Sequence, residues 1–268
     1  MTNARAGRVP QRRIAETVAA ELRTRILNGD DEYRLPTQDQ LVQDFGVSYP
    51  SIREALRILE TEGLVTVRRG NIGGAEVHRP DAASAAYHLG LALQGARVTL
   101  GDLAAGLRAL EPLCAGECAA RTDRATTVVP ALIDNVDRSA ALLGDGVAFT
   151  HTAREFHDLI VSYTPNLTVR YVVATLVTLW SAQEQAWAET LTREGHYPSR
   201  DEAEAVVRTH RRIVQEIEAG RGAEAQRLYR THLSAAQAVV LDQTDDGIVS
   251  AAAAGARLAL QSVTRARI

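Results

Sequence analysis

Apolar residues recur along most of this chain at helical spacing. From Ile14 to Leu27 the positions Ile14, Val18, Leu22 and Ile26 are four apart, which predicts a first helix ending near Asn28 and Gly29. After the turn-rich stretch "NGDDEYRLP", Thr37 is placed to cap a short helix through Phe45 that buries Leu41, Val42 and Phe45. Gly46 breaks it. Ser48 then stands at the start of a third helix, with Pro50 in its first turn and Ile52, Ala55, Leu56 and Leu59 forming one apolar face up to Gly63. Beyond Gly63 the period changes to two, with short β-type runs at Val65–Val67 and Ala75–Val77 around a glycine-rich tip. The order helix, helix, turn, helix, hairpin predicts a winged helix-turn-helix over residues 11–78, preceded by a basic tail at 1–10.

The stretch "RPDAASAA" contains the expected linker, residues 79–85. From 86 to 243 the pattern is helical again, near 82–94, 99–121, 126–143, 147–163, 167–191, 199–219 and 222–243, with Gly and Pro between segments. The predicted fold is mainly α: the winged helix-turn-helix followed by an all-helical bundle, with an alanine-rich tail at 244–268 to which no role is assigned.

A hydrophobic fraction of 46% with only 4% aromatics agrees with a helical protein. No apolar run has membrane-spanning length, and the start has no secretory pattern; a cytoplasmic protein without a membrane partner is expected. Cys114 and Cys118 read as small buried residues. The net charge of −3 does not announce a nucleic-acid partner, but Arg5, Arg8, Arg12 and Arg13 all precede the first acidic residue, Glu16.

The third helix buries one face and leaves Tyr49, Pro50, Arg53 and Arg57 on the other, the division a recognition helix needs in the major groove. Arg53 suits a bidentate contact to guanine or phosphate, and Tyr49 a thymine methyl or a phosphate. In the hairpin tip, Arg68, Arg69 and Gly70 can reach the minor groove or backbone. The DNA-contacting candidates are Arg12, Ser48, Tyr49, Pro50, Ser51, Arg53, Arg57, Arg69 and Gly70. The alternative is a solvated Arg-bearing face.

Three histidines occupy telling places. His157 lies on one helix, and His210 and His232 flank the turn at Gly220–Gly222 about equally, so an antiparallel pair brings them to one height. Three neutral imidazoles can hold Zn²⁺ or a related divalent ion; ordinary core roles are the alternative.

The stretch "LRTRILNGDDEYRLPTQDQLVQDFGVSYPSIREALRILETEGLVTVRRG" resembles the DNA-binding domain of GntR-family transcription regulators, and its motifs "RLPT", "FGVS", "IREALRILE" and "EGLV" carry the likeness. Where the family's fatty-acid regulators have two arginines, this chain has Asp39 and Tyr49; Arg53 matches the shared arginine. "LGDLAAGLRALEPLCAGECAA", "FHDLI…TPN", "THRRIVQEIEAG" and "YRTHLSAA" resemble the FCD domain, the helical effector domain of the FadR-like branch. This resemblance implies a metal held by His157, His210 and His232, with Zn first and Ni or Mn as alternatives. The family's aspartate four residues before the first histidine is Ala153 here, so the metal can be absent. The resemblance also implies Arg108, paired with Glu111 or free to grip an anion, as an effector contact; Trp180 and Trp187 share a helix face that can line a pocket or pack in the core or a dimer interface. Asn166 matches a family Asn and reads as a helix cap.

The expected protein is a homodimeric, ligand-responsive regulator, in the sense of a repressor, on a palindromic double-stranded operator, with a small carboxylate effector. A constitutive DNA-binding dimer with an inactive pocket is the alternative. A metal-dependent hydrolase or lyase is the remote one, and no HExxH, nucleophile elbow or phosphate-binding glycine loop accompanies the histidines.

Overall fold

The computed structural model describes residues 11–30, 33–67, 75–195, 199–243 and 247–252. The chain divides into two compact units, residues 1–80 and 81–268. The basic tail, Arg68, Arg69 and Gly70 lie outside the described residues, as does the side chain of Arg12.

The first unit contains α1 (Gln11–Asn28), α2 (Gln38–Phe45), α3 (Tyr49–Thr61), β1 (Val65–Val67) and β2 (Ala75–Val77). The two strands pair antiparallel with Val65 opposite Val77. Val18, Leu22 and Ile26 of α1 meet Leu41 of α2, Ile52, Leu56 and Leu59 of α3, and Val65 of β1 in one core. Helix α2 starts with a capping box: the Thr37 hydroxyl accepts from the Gln40 amide, and the Gln40 side chain accepts from the Thr37 amide at 2.9 Å. It stops at Gly46, whose φ of 61° is left-handed. Ser48 has the extended backbone of an N-cap, but its hydroxyl bonds that of Ser51 at 3.1 Å instead of capping an amide.

The second unit contains α4 (Ala82–Gly95), α5 (Leu100–Ala120), α6 (Arg124–Ala141), α7 (Gly146–Ser162), α8 (Leu167–Glu194), α9 (Arg200–Glu218) and α10 (Gly222–Leu241). Helix α4 begins inside the stretch expected to be linker, because Asp81 and Ser84 form a capping box there. Helices α5 and α10 pack closely. Gly116 makes this possible: a Cβ on it would lie 2.8 Å from the Gln226 side-chain carbon Cδ, and a Cβ on Gly222 would lie 3.2 Å from the Gly116 carbonyl. Pro112 sits inside α5 and has no N–H for the carbonyl of Arg108. Arg230 of α10 donates its Nε to that carbonyl at 3.3 Å, so the neighbouring helix satisfies what proline leaves open.

After α10 the chain returns to the start of this unit. Ile248 bridges Thr99, the Leu100 amide donates to the Gly247 carbonyl at 2.7 Å, and the Val249 amide donates to the Val98 carbonyl at 3.0 Å. Gln183 of α8 donates to the Ser250 carbonyl, and Gln94 of α4 accepts from the Ala251 amide, each at 3.0 Å. Val249 is fully buried.

Candidate functional site

Helices α7, α9 and α10 each present one buried histidine to a common point. Nε2 of His232 lies 3.0 Å from Nε2 of His210 and 3.2 Å from Nε2 of His157. A tetrahedral ion with ligands at its usual Zn–N length separates neighbouring nitrogens by about 3.3 Å, so the three rings are spaced to share one ion. Burial holds the imidazoles of His157 and His210 well below their usual pKa, and brings His232 down to about 4; all three are neutral near pH 7, with lone pairs to offer.

Glu111 of α5 organises the group from behind. Its Oε1 accepts from Nδ1 of His157 at 2.8 Å, from the Tyr229 hydroxyl at 2.8 Å and from Nη2 of Arg154 at 3.1 Å. A proton assigned to Nδ1 of His157 leaves Nε2 as the free lone pair, the carboxylate–histidine arrangement that orients metal ligands. Burial raises the Glu111 carboxyl, while Arg154 and Tyr229 pull it back down. The ring of His210 is fixed differently. Its Nδ1 has no hydrogen-bond partner among the described residues, but Phe156 stacks on it with centroids 3.9 Å apart.

A cavity of about 400 Å³ opens against this centre. Its polar lining includes His232, Arg154 and Glu184, and its apolar wall includes Phe149, Trp187, Val206, Leu228 and Val239. Ala153 also lines it, so a methyl group stands where the resemblance implies a carboxylate. Two expected effector contacts stand elsewhere. Arg108 does not line the cavity: its Nη1 donates to Oε1 of Gln237 at 2.7 Å, and Glu111 has gone to Arg154 and His157. Trp180 is 1% exposed in the core, and Trp187 lines the cavity instead. Arg154 and Tyr229 were not anticipated, yet each stands three residues before a histidine of the cluster, on the same helix face.

On the first unit, Tyr49 is 43% exposed and Pro50, Arg53 and Arg57 are exposed beside it. Tyr49 donates to Oδ1 of Asp39 at 2.9 Å, and Arg57 pairs with Glu54 at 3.3 Å. Ser48 is exposed, but Ser51 is not available as a DNA contact: it is 2% exposed, turned inward by the spacing that also buries Ile52 and Ala55.

Residues 14–73 match the family model of bacterial regulatory proteins of the gntR family, and residues 102–235 match that of the FCD domain. The HTH-type transcriptional regulator Mce2R of Mycobacterium tuberculosis is 38% identical over 66 residues, 24% of this chain and 28% of that protein. The HTH-type transcriptional repressor NanR of Klebsiella aerogenes is 36% identical over 74 residues, 27% of this chain and 28% of that protein. These matches thus span less than a third of either relative. A solved structure of Streptococcus agalactiae GntR shares the fold, with a TM-score of 0.62 and 20% identity over 84% of this chain and 99% of that one. No helix among the described residues is long and apolar enough to cross a membrane.

Proposed function

The chain belongs to the gntR family of bacterial regulatory proteins and carries an FCD domain, and from that premise we propose a DNA-binding transcription regulator whose helical domain senses a small carboxylate at a divalent-metal centre. The observation that carries the sensing role is the convergence of three Nε2 atoms beside a cavity. His157, His210 and His232 would hold the ion, with zinc first and Ni or Mn as alternatives for three neutral imidazoles. A bound ion would supply Lewis acidity toward a carboxylate oxygen. Glu111 and Tyr229 hold His157 in its ligating orientation, Phe156 holds the ring of His210, and the apolar wall takes the body of the effector. In the first unit, α3 enters the major groove with Tyr49 and Arg53 nearest the bases. The protein acts as a homodimer on a two-fold symmetric operator, and effector binding in the helical domain shifts it away from the DNA-competent state. NanR, named a repressor, is similar to this chain over 74 residues and agrees with that direction.

The test has two arms. Metal content of protein prepared without chelator is measured beside His157→Ala, His210→Ala and His232→Ala; about one ion per chain, lost in each variant, is expected. Duplexes selected from a random pool are then titrated with a panel of small carboxylates. Failure to enrich any duplex would sink the regulator reading, whereas enrichment with no response to any acid would leave a constitutive DNA-binding protein.

A further inference from the structure

The polar corner of the cavity holds a loosely paired arginine and glutamate, each with one buried side-chain atom that has no hydrogen-bond partner among the described residues. Arg154 is 7% exposed, and its Nη2 is spent on Glu111. Its Nε is buried without a hydrogen-bond partner among the described residues. Glu184 of α8 brings Oε2 to 3.7 Å from Nη1 of Arg154, too far for a hydrogen bond. That oxygen is also buried and without a hydrogen-bond partner among the described residues. Both residues line the cavity that reaches His232. Polar groups held away from water without partners are costly, so the pair is poised for a ligand group that accepts from one and donates to the other.

Few groups do both. An ammonium donates only and would lie against the guanidinium; a second carboxylate accepts only and would lie against Glu184. A hydroxyl oxygen accepts from Arg154 while its proton goes to Glu184. We propose that Arg154 and Glu184 form a hydroxyl subsite, and that the effector is a hydroxy-substituted monocarboxylate with a short alkyl body. This rests on the carboxylate-sensing reading above.

Three further observations shape the ligand. Arg154 and His157 share one oxygen of Glu111, so the hydroxyl belongs only a few bonds from the carboxylate, at its 2- or 3-position. Away from this corner one stretch of the wall, with Phe149, Trp187, Val206 and Leu228, is apolar and suits an alkyl chain, while Glu202 and Arg212 of α9 add a further carboxylate and guanidinium to the lining. Charge selects a single carboxylate. Arg154 and Arg212 balance Glu184 and Glu202 in the lining, Glu111 behind it adds one negative charge, the three imidazoles are neutral, and a divalent ion with one carboxylate would bring the group to zero. A dicarboxylate would leave it negative in a buried place.

The experiment is calorimetric titration of the full chain, its metal content measured beforehand, with hexanoate, 2-hydroxyhexanoate and 3-hydroxyhexanoate. One hydroxy acid is expected to bind at least tenfold more tightly than hexanoate. In Glu184→Leu the ratio of hydroxy-acid to hexanoate affinity should fall below twofold, whatever the change in absolute affinity from the lost charge, while Glu184→Gln, which loses the same charge but whose amide oxygen still accepts, should keep most of that ratio. Equal binding of hexanoate and both hydroxy acids, or an advantage surviving in Glu184→Leu, overturns the subsite and leaves carboxylate sensing standing. Binding of none of the three acids, in protein shown to be folded, removes the carboxylate reading and the subsite with it.

Discussion

The hydroxyl of Tyr49 donates to Oδ1 of Asp39 at 2.9 Å, tying the first turn of α3 to the first turn of α2. These are the two positions at which the chain lacks the arginines of the family's fatty-acid regulators, and they are partners of each other. The carboxylate holds the Tyr49 hydroxyl above its ordinary pKa and occupies its proton. Here a neutral donor and an acid stand together on a surface proposed to face phosphate. Asp39→Ala is therefore expected to raise affinity for any duplex several-fold and to steepen the salt dependence. Tyr49→Phe should alter sequence preference more than overall affinity. Fluorescence anisotropy on selected and scrambled duplexes at two salt concentrations checks both. Weaker binding of Asp39→Ala to the selected duplex alone would mean that Asp39 reads a base itself.

Glu111 is a single buried carboxylate serving His157, Tyr229 and Arg154. Glu111→Gln keeps the shape but loses the charge that favours the ligating form of His157. Metal affinity should drop by about 10–100-fold, the usual effect of losing such a partner. Competition with a chromophoric chelator measures it. An unchanged affinity would show that packing alone orients the ring.

The thiols of Cys114 and Cys118 are raised by burial, to about 11 and about 12 from an ordinary 9.0, and Cys118 also donates to the Ile160 carbonyl at 3.3 Å. At pH 8 a disulfide-exchange reagent should leave both unmodified until the domain is unfolded. The sign of the pH effect follows from proton counting. Between about pH 9 and 11 the folded chain binds more thiol protons than the unfolded chain, so this contribution makes stability fall as pH rises there. Urea midpoints at pH 8 and pH 10 test it, with Cys114→Ala and Cys118→Ala to isolate the thiols.

Val249 is fully buried and its amide donates to Val98. Val249→Ala should cost about 1–2.5 kcal/mol, as for other lost buried methyl groups. Urea unfolding of the full chain, monitored by far-ultraviolet dichroism, reads the loss. A change under about 0.5 kcal/mol would mean that residues 247–252 contribute little to the unit.

The helices were legible because each advertises itself locally, through apolar spacing, the Thr37 cap and glycines such as Gly46. The histidines were legible because the Gly220–Gly222 turn sets His210 and His232 at matched distances along an antiparallel pair. Arg108 shows the limit. Spacing placed it one turn from Glu111, yet Glu111 bonds residues 43 and 46 positions away in the sequence, and Arg108 reaches Gln237. Whether a carboxylate turns to its own helix or to a neighbour depends on helix rotation, which a periodic pattern leaves open by a residue or so. Glu184 was hidden for the same reason, standing on a helix whose polar face shows only in the assembled bundle. The segment 247–252 was illegible because six residues of mixed character carry no period.

That segment has a consequence for how the protein is made. Besides Gln183 of α8, its hydrogen bonds run to residues 94, 98 and 100 near the start of the helical unit, some 150 residues earlier in the chain. On the ribosome α4 through α9 emerge before the stretch that closes the α4–α5 junction has been translated. Helix pairs close in sequence can assemble during synthesis, but this last edge seals only once residue 252 has cleared the exit tunnel. Until then the groove that receives Val249 stays open, and this is where a chaperone would find exposed apolar surface on the nascent chain.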